Sequence, residues 1–186
     1  MVRFSAFVLA LLFWLVPNVV FGLDIVLVGD SHMEGVAPYL SPALTAQGHN
    51  VHVVARRGWS CGSYRRAGSY LRRRARGADL VVVLLGANDR VRDDEEYRED
   101  LDWVLAQLGS AQVVWFGPPV ALDPELDAWH FAATEAQPRL LPNSVEWVDS
   151  RIDTADLTHA PDSMHFLFSS YSEWASRIMI RLQPHL

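Results

Sequence analysis

After residue 22, short apolar runs alternate regularly with segments of helical spacing. The runs are Ile25–Val28, Val51–Ala55, Leu80–Leu85, Val113–Phe116 and Val145–Val148, all rich in β-branched residues. Between them, Leu40 and Leu44 stand four apart, and Gly48 follows as a helix stop. Tyr97, Leu101, Leu105 and Leu108 form one helical stripe. The acidic residues Asp93 to Glu96 lie at its N-terminal end, where a helix dipole favours negative charge. Tyr171, Trp174, Ala175, Ile178 and Leu182 form another stripe near the C-terminus. Five strands alternating with helices predict an α/β fold with a parallel sheet covered on both faces. With no internal repeat or linker, residues 23–186 are expected to form one domain.

Residues 1–22 follow a different pattern. One positive charge, at Arg3, precedes an almost wholly apolar stretch from Phe4 to Val16, which Pro17-Asn18 breaks. Val20 and Gly22 then stand at the −3 and −1 positions of a cleavage site. This layout predicts a secretory signal peptide and a secreted or periplasmic protein. An uncleaved N-terminal anchor is the alternative, because Phe4 to Gly22 nearly reaches spanning length. A membrane contact is expected only if that segment is retained.

Half of the 186 residues are hydrophobic, enough for one domain with its own core. The net charge of −6 argues against a nucleic-acid partner. All sixteen basic residues are Arg, and Cys61 is the only cysteine, so no intramolecular disulfide can form. Arg65-Arg66 and Arg72-Arg73-Arg74 with Arg76 crowd the segment after the second strand. They are read as a solvated face, partly paired with the acidic start of the helix after strand three. Contact with an anionic polymer is the competing reading.

In such a sheet, ligands bind at loops beyond the carboxyl ends of the strands. Those loops hold Gly29-Asp30-Ser31-His32, Arg56-Arg57-Gly58-Trp59 and Gly86-Ala87-Asn88-Asp89, and Asp162-Ser163-Met164-His165 precedes the last helix. A serine hydroxyl needs a base to become a nucleophile, and His165 can be that base. Asp162, three residues earlier, can fix the tautomer and orientation of His165. The backbone N–H groups of Ser31 and Gly58 and the side-chain amide of Asn88 could stabilise an oxyanion.

These four blocks, in this order, resemble the SGNH or GDSL-type hydrolase superfamily, over essentially all of residues 23–186. The resemblance implies a flavodoxin-like three-layer α/β/α sandwich with a five-stranded parallel sheet. It implies Ser31 as nucleophile and oxyanion donor, Gly58 and Asn88 as further oxyanion donors, His165 as base and Asp162 as its orienter. Ester or thioester cleavage without a metal or cofactor is expected. His32 departs from the family, which more often has Leu or Ile there, and places a second imidazole beside the nucleophile.

Gly58-Trp59-Ser60-Cys61-Gly62 also reads as the G-x-S-x-G elbow of α/β-hydrolases. It follows only the second strand, and the Gly58 block accounts for it without a second nucleophile. His159, Asp162 and His165 are spaced for a metal, but no further ligand cluster accompanies them. His49, His52, His130 and His185 are expected on the surface or in loops. The expected activity is removal of short acyl or O-acetyl groups from carbohydrate or envelope esters through an acyl-serine. A lipase or thioesterase of the same fold is an alternative, and so is a non-catalytic surface or assembly module.

Overall fold

A computed structural model describes residues 22–186; the predicted signal peptide or anchor lies outside the described residues, apart from Gly22. Five strands form one parallel sheet: β1 (Asp24–Gly29), β2 (Asn50–Ala55), β3 (Leu80–Leu84), β4 (Gln112–Phe116) and β5 (Val145–Val148). Their order is β2-β1-β3-β4-β5. All five match the predicted runs to within two residues, and the order is the flavodoxin-like one. The chain reverses direction across the sheet between β1 and β3, which opens a crevice at their carboxyl ends.

Alternate residues of β1 face opposite sides of the sheet. Ile25 and Leu27 join the core under α1 (Ser31–Ala46) and the last long helix, α7 (Phe168–Leu182). Val26 and Val28 join the core under α2 (Cys61–Arg66), α3 (Tyr70–Ala75), α4 (Asp94–Leu108) and α5 (Pro124–Leu140). The architecture is therefore a three-layer α/β/α sandwich. A short helix, α6 (Ser150–Thr154), follows β5. The α7 stripe behaves as its spacing demands: Tyr171, Trp174, Ala175, Ile178 and Leu182 are all buried.

Three helical features differ from the sequence reading. First, α1 begins at Ser31 itself and contains Pro38 and Pro42. Second, the Arg-rich segment is two short helices, because Gly68 adopts φ +62° between them. Third, α5 spans 17 residues whose mixed polar and apolar character gives no strong stripe. It opens with Asp123 as N-cap and Pro124 in the first turn, a start signal carried by composition instead of periodicity.

Candidate active site

Ser31 stands where β1 hands over to α1. Asp30 caps that helix, its Oδ1 accepting from the His32 N–H at 2.8 Å. Such a cap typically contributes about 1 kcal/mol and fixes how the chain enters the helix. Gly29 is needed here for space: a Cβ would come within 2.4 Å of the Met33 Cβ and 2.5 Å of the Leu84 carbonyl oxygen. The sharp exit from β1 thus presses the first turn of α1 onto the end of β3. Because Ser31 opens the helix, its N–H has no intrahelical acceptor.

His165 arrives from the other end of the chain, 134 residues away. Its Nε2 lies 2.9 Å from Ser31 Oγ, and its Nδ1 lies 2.7 Å from Asp162 Oδ2. An ionised carboxylate only accepts, so Nδ1 carries the proton and Nε2 is left as acceptor for the serine hydroxyl. Asp162 Oδ1 also accepts from the N–H groups of Met164 (3.1 Å) and His165 (2.9 Å). Ser163, at φ +61°, makes the tight loop that allows this. Burial works against the Asp162 charge, but the bonds from the His165 ring and from the two backbone N–H groups outweigh it. Together they hold Asp162 at about 2. Asp162 therefore stays ionised through the pH range in which a histidine base operates.

The two other proposed oxyanion donors lie on turns beyond β2 and β3. Arg56 to Trp59 form a turn closed by a 3.1 Å bond from Trp59 N–H to the Arg56 carbonyl. Gly58 is its third residue, at φ +72°, the left-handed value that a type II turn needs there. No protein atom lies within 4 Å of where its Cβ would be, so backbone conformation and not protein crowding demands glycine. The Asn88 amide donates to Asp30 Oδ2 and to the Trp59 carbonyl, each at 3.2 Å. It thereby ties the β3 turn to both the helix cap beside Ser31 and the Gly58 turn.

Asp30 takes part in the site although the sequence reading assigned it no role. It is fully buried, caps α1 and holds Asn88. Burial is the main cause that raises it to about 7; the neighbouring Asp89 adds to this, while the His32 and Asn88 hydrogen bonds oppose it. An Asp placed directly before a helix start was the available signal. Asp89 is also buried and accepts from Cys61 N–H (2.8 Å) and Tyr97 hydroxyl (3.2 Å), fastening α2 and α4 beneath the site.

His32 is buried, with Nδ1 3.2 Å from the Tyr171 hydroxyl and its ring centroid 5.3 Å from that of His165. Burial, then the adjacent His130 and His165 rings, hold it well below the usual histidine range, so it is neutral. It acts as a polar packing element behind the base. Of the histidines expected on the surface or in loops, His130 is instead buried within a helix, and His49 is in a loop as expected but buried. His130 packs edge-on to His32 with Nδ1 2.8 Å from the Pro119 carbonyl, and His49 Nδ1 accepts from Leu23 N–H at 3.1 Å. Neither belonged to a hydrophobic stripe, so periodicity could not place them.

The competing nucleophile is otherwise engaged: the Ser60 side chain caps α2 by accepting from Ser63 N–H at 3.1 Å. Cys61 is buried and unpaired. His159 Nε2 lies 3.0 Å from the Val120 carbonyl, and the His159 ring packs on Phe166. A cavity of about 540 Å³ opens in front of Ser31, lined among others by Glu34, Tyr39, Arg57, Asp162, His165 and Phe168. The Phe168 ring is 84% exposed at its mouth.

No protein-family model and no curated protein sequence matches the chain. Solved structures do. The C-terminal catalytic domain of peptidoglycan O-acetyltransferase A from Streptococcus pneumoniae is 18% identical, with a TM-score of 0.62 over 88% of this chain and 94% of that one. A carbohydrate esterase of family 3 from Talaromyces cellulolyticus is 17% identical, with a TM-score of 0.63 over 88% and 99% of the two chains. A GDSL-like lipase, so described for Parabacteroides merdae, is 17% identical, with a TM-score of 0.60 over 88% and 98%. At these identities the likeness establishes the architecture: the chain has the three-layer α/β/α fold of the SGNH, GDSL-type hydrolases.

Proposed function

We propose that this protein is a serine esterase that removes short acyl groups, acetyl above all, from carbohydrate. The observation that carries the reading is the chain of hydrogen bonds from Ser31 Oγ through His165 to Asp162, closed by residues from opposite ends of the domain. As the Ser31 oxygen attacks the ester carbonyl, His165 Nε2 takes its proton. Asp162 stabilises the imidazolium that forms. The carbonyl oxygen becomes an oxyanion, received by the N–H groups of Ser31 and Gly58 and by the Asn88 amide. His165 then protonates the departing alkoxide, leaving acyl-Ser31. Water, deprotonated by the same imidazole, releases the acid and restores the serine. The expected site of action is outside the cytoplasm, on the signal-peptide layout of residues 1–22.

A carbohydrate ester is favoured over a long-chain lipid because the cavity in front of Ser31 holds only about 540 Å³ and is open to solvent. It carries the charged pair Arg57–Glu34 (3.4 Å) at its edge instead of an apolar tunnel. Similarity in fold to a carbohydrate esterase and to a peptidoglycan O-acetyltransferase domain fits the same substrate class. The test is covalent labelling with an organophosphonate probe. Ser31→Ala is expected to abolish labelling and hydrolysis of p-nitrophenyl acetate, while Ser60→Ala keeps both. Labelling that survives in Ser31→Ala and disappears in Ser60→Ala would sink the reading.

A further inference from the structure

A ladder of arginines runs along the edge strand β2, and the chemistry above does not use it. It begins at Arg57, on the rim of the Ser31 cavity. Next is Arg56, whose Nη2 donates to the Tyr70 hydroxyl at 3.0 Å. Tyr70 is shared by two cations: the guanidinium carbons of Arg56 and Arg74 lie 5.3 and 5.8 Å from its ring centroid. Beyond it, Arg73, Arg74 and Arg76 line a groove of about 360 Å³ together with Asn50, His52 and Val53 of β2.

Two features set this ladder apart from an ordinary solvated face. The first is the absence of partners. Of the Arg-rich stretch, Arg65 pairs with the same helix as the sequence reading expected, but with Glu99 (3.1 Å) and Asp100 (3.2 Å) in its second turn and not with its acidic start. Arg56, Arg73, Arg74 and Arg76 are exposed and pair with no carboxylate among the described residues. The one carboxylate in the groove, Asp24, accepts from Asn50 Nδ2 at 2.7 Å. A chain of net charge −6 has carboxylates enough to neutralise them, yet leaves this strip cationic. The second feature is continuity. The six residues of β2 span roughly 20 Å, so the ladder joins the catalytic rim to the far end of the sheet edge.

We infer that this strip binds an acidic polysaccharide, laid along β2 so that an acyl group on it enters the Ser31 cavity. Guanidinium forks match carboxylates in planar, two-point contacts. Asn50 and His52 offer hydrogen bonds to sugar hydroxyls within the same groove. The strip is long, is grooved at Arg73, Arg74 and Arg76, and leads to Arg57 at the catalytic rim. A linear polymer can follow such a path, whereas a flat bilayer would touch only the arginine tips. The inference rests on the esterase reading for the acyl group, but the binding surface can be tested without it.

The experiment compares the purified protein with two variants of equal charge change. One carries Arg73→Ser, Arg74→Ser and Arg76→Ser; the control carries Arg92→Ser, Arg98→Ser and Arg139→Ser, at the start of α4 and on α5. Binding of fluorescent polygalacturonate is followed by anisotropy, with phosphatidylglycerol vesicles as a parallel arm and p-nitrophenyl acetate turnover as a catalytic readout. The β2-side variant is expected to lose on the order of tenfold in polymer affinity at low salt, with a shallower salt dependence. The control is expected to change by less than twofold, and turnover of the small ester to be equal in all three. Equal polymer binding by both variants would overturn the inference, as would binding to vesicles but not to polymer. Arginine-dependent polymer binding by a wild type that turns over no ester would support the surface and remove the esterase reading alone.

Discussion

Ser31, His165 and Asp162 are linked by hydrogen bonds of 2.9 and 2.7 Å, whereas the donors Gly58 and Asn88 sit on turns whose atoms already serve the fold. Each member of the first set has a local anchor: a helix start for Ser31, backbone N–H groups for Asp162, and Asp162 itself for His165. The second set has no such independence. Both N–H groups of Asn88 have acceptors inside the protein, and Gly58 owes its place to a left-handed turn conformation that glycine adopts freely. The attacking side of the site is preassembled. The side proposed to receive charge would have to exchange a hydrogen bond when substrate arrives, with Asp30 and the Trp59 carbonyl as the partners given up.

The largest expected effect that would break this contrast comes from Asn88→Ala. If the amide serves the oxyanion, kcat should fall by about 100-fold or more with little change in KM. The melting temperature should drop only modestly, since the bonds lost number two and are long. A variant that melts early yet turns over normally per folded molecule would leave Asn88 as a turn holder.

Next in size is the effect of Asp30, which binds the amide from below. Its carboxyl is expected to ionise near pH 3.8 unfolded but at about 7 folded. Between those values the folded state holds the extra proton, so stability should fall as pH rises from 4 to 7. Asp30→Asn should flatten that slope. In thermal melts, the wild type should lose several degrees between pH 5 and pH 8 relative to the variant. Parallel curves would show that Asp30 carries no such cost. The smallest effect is expected from Gly58→Ala. Forcing Cβ onto φ +72° costs about 1 kcal/mol, and calorimetry should show a shift of about 2–4 °C. A rate loss far beyond that shift would mean that the Gly58 N–H itself is displaced.

Local pattern made some of this molecule legible. Five runs of β-branched residues marked five strands, because a strand buried on both faces must be apolar throughout. The α7 stripe was equally plain, since one helix face packs on the sheet and the other does not. The order of Ser31, Gly58, Asn88 and His165 along the chain pointed to one edge of the sheet, and Ser31 and His165 do meet there. What stayed hidden depends on contacts between distant segments. The start of α1 at Ser31 requires the Asp30 cap and the tight packing of Gly29 on Leu84. The burial of His130 follows from its packing against His32, across two elements. The bond from Asn88 to Asp30 joins residues 58 apart and leaves no trace in periodicity.

The separation between Ser31 and His165 has a consequence for timing. Under the proposed mechanism the nucleophile is near the start of the domain and its base near the end, 134 residues later. At a synthesis rate of about 5–20 residues per second, roughly 7–27 s pass between the two. Throughout that interval the serine has no base, and the helix that packs behind the base, α7, has not been made. On that mechanism, a chain interrupted anywhere before residue 165 would be chemically silent. The hydroxyl would then gain its reactivity only once the sandwich can close around both ends of the domain.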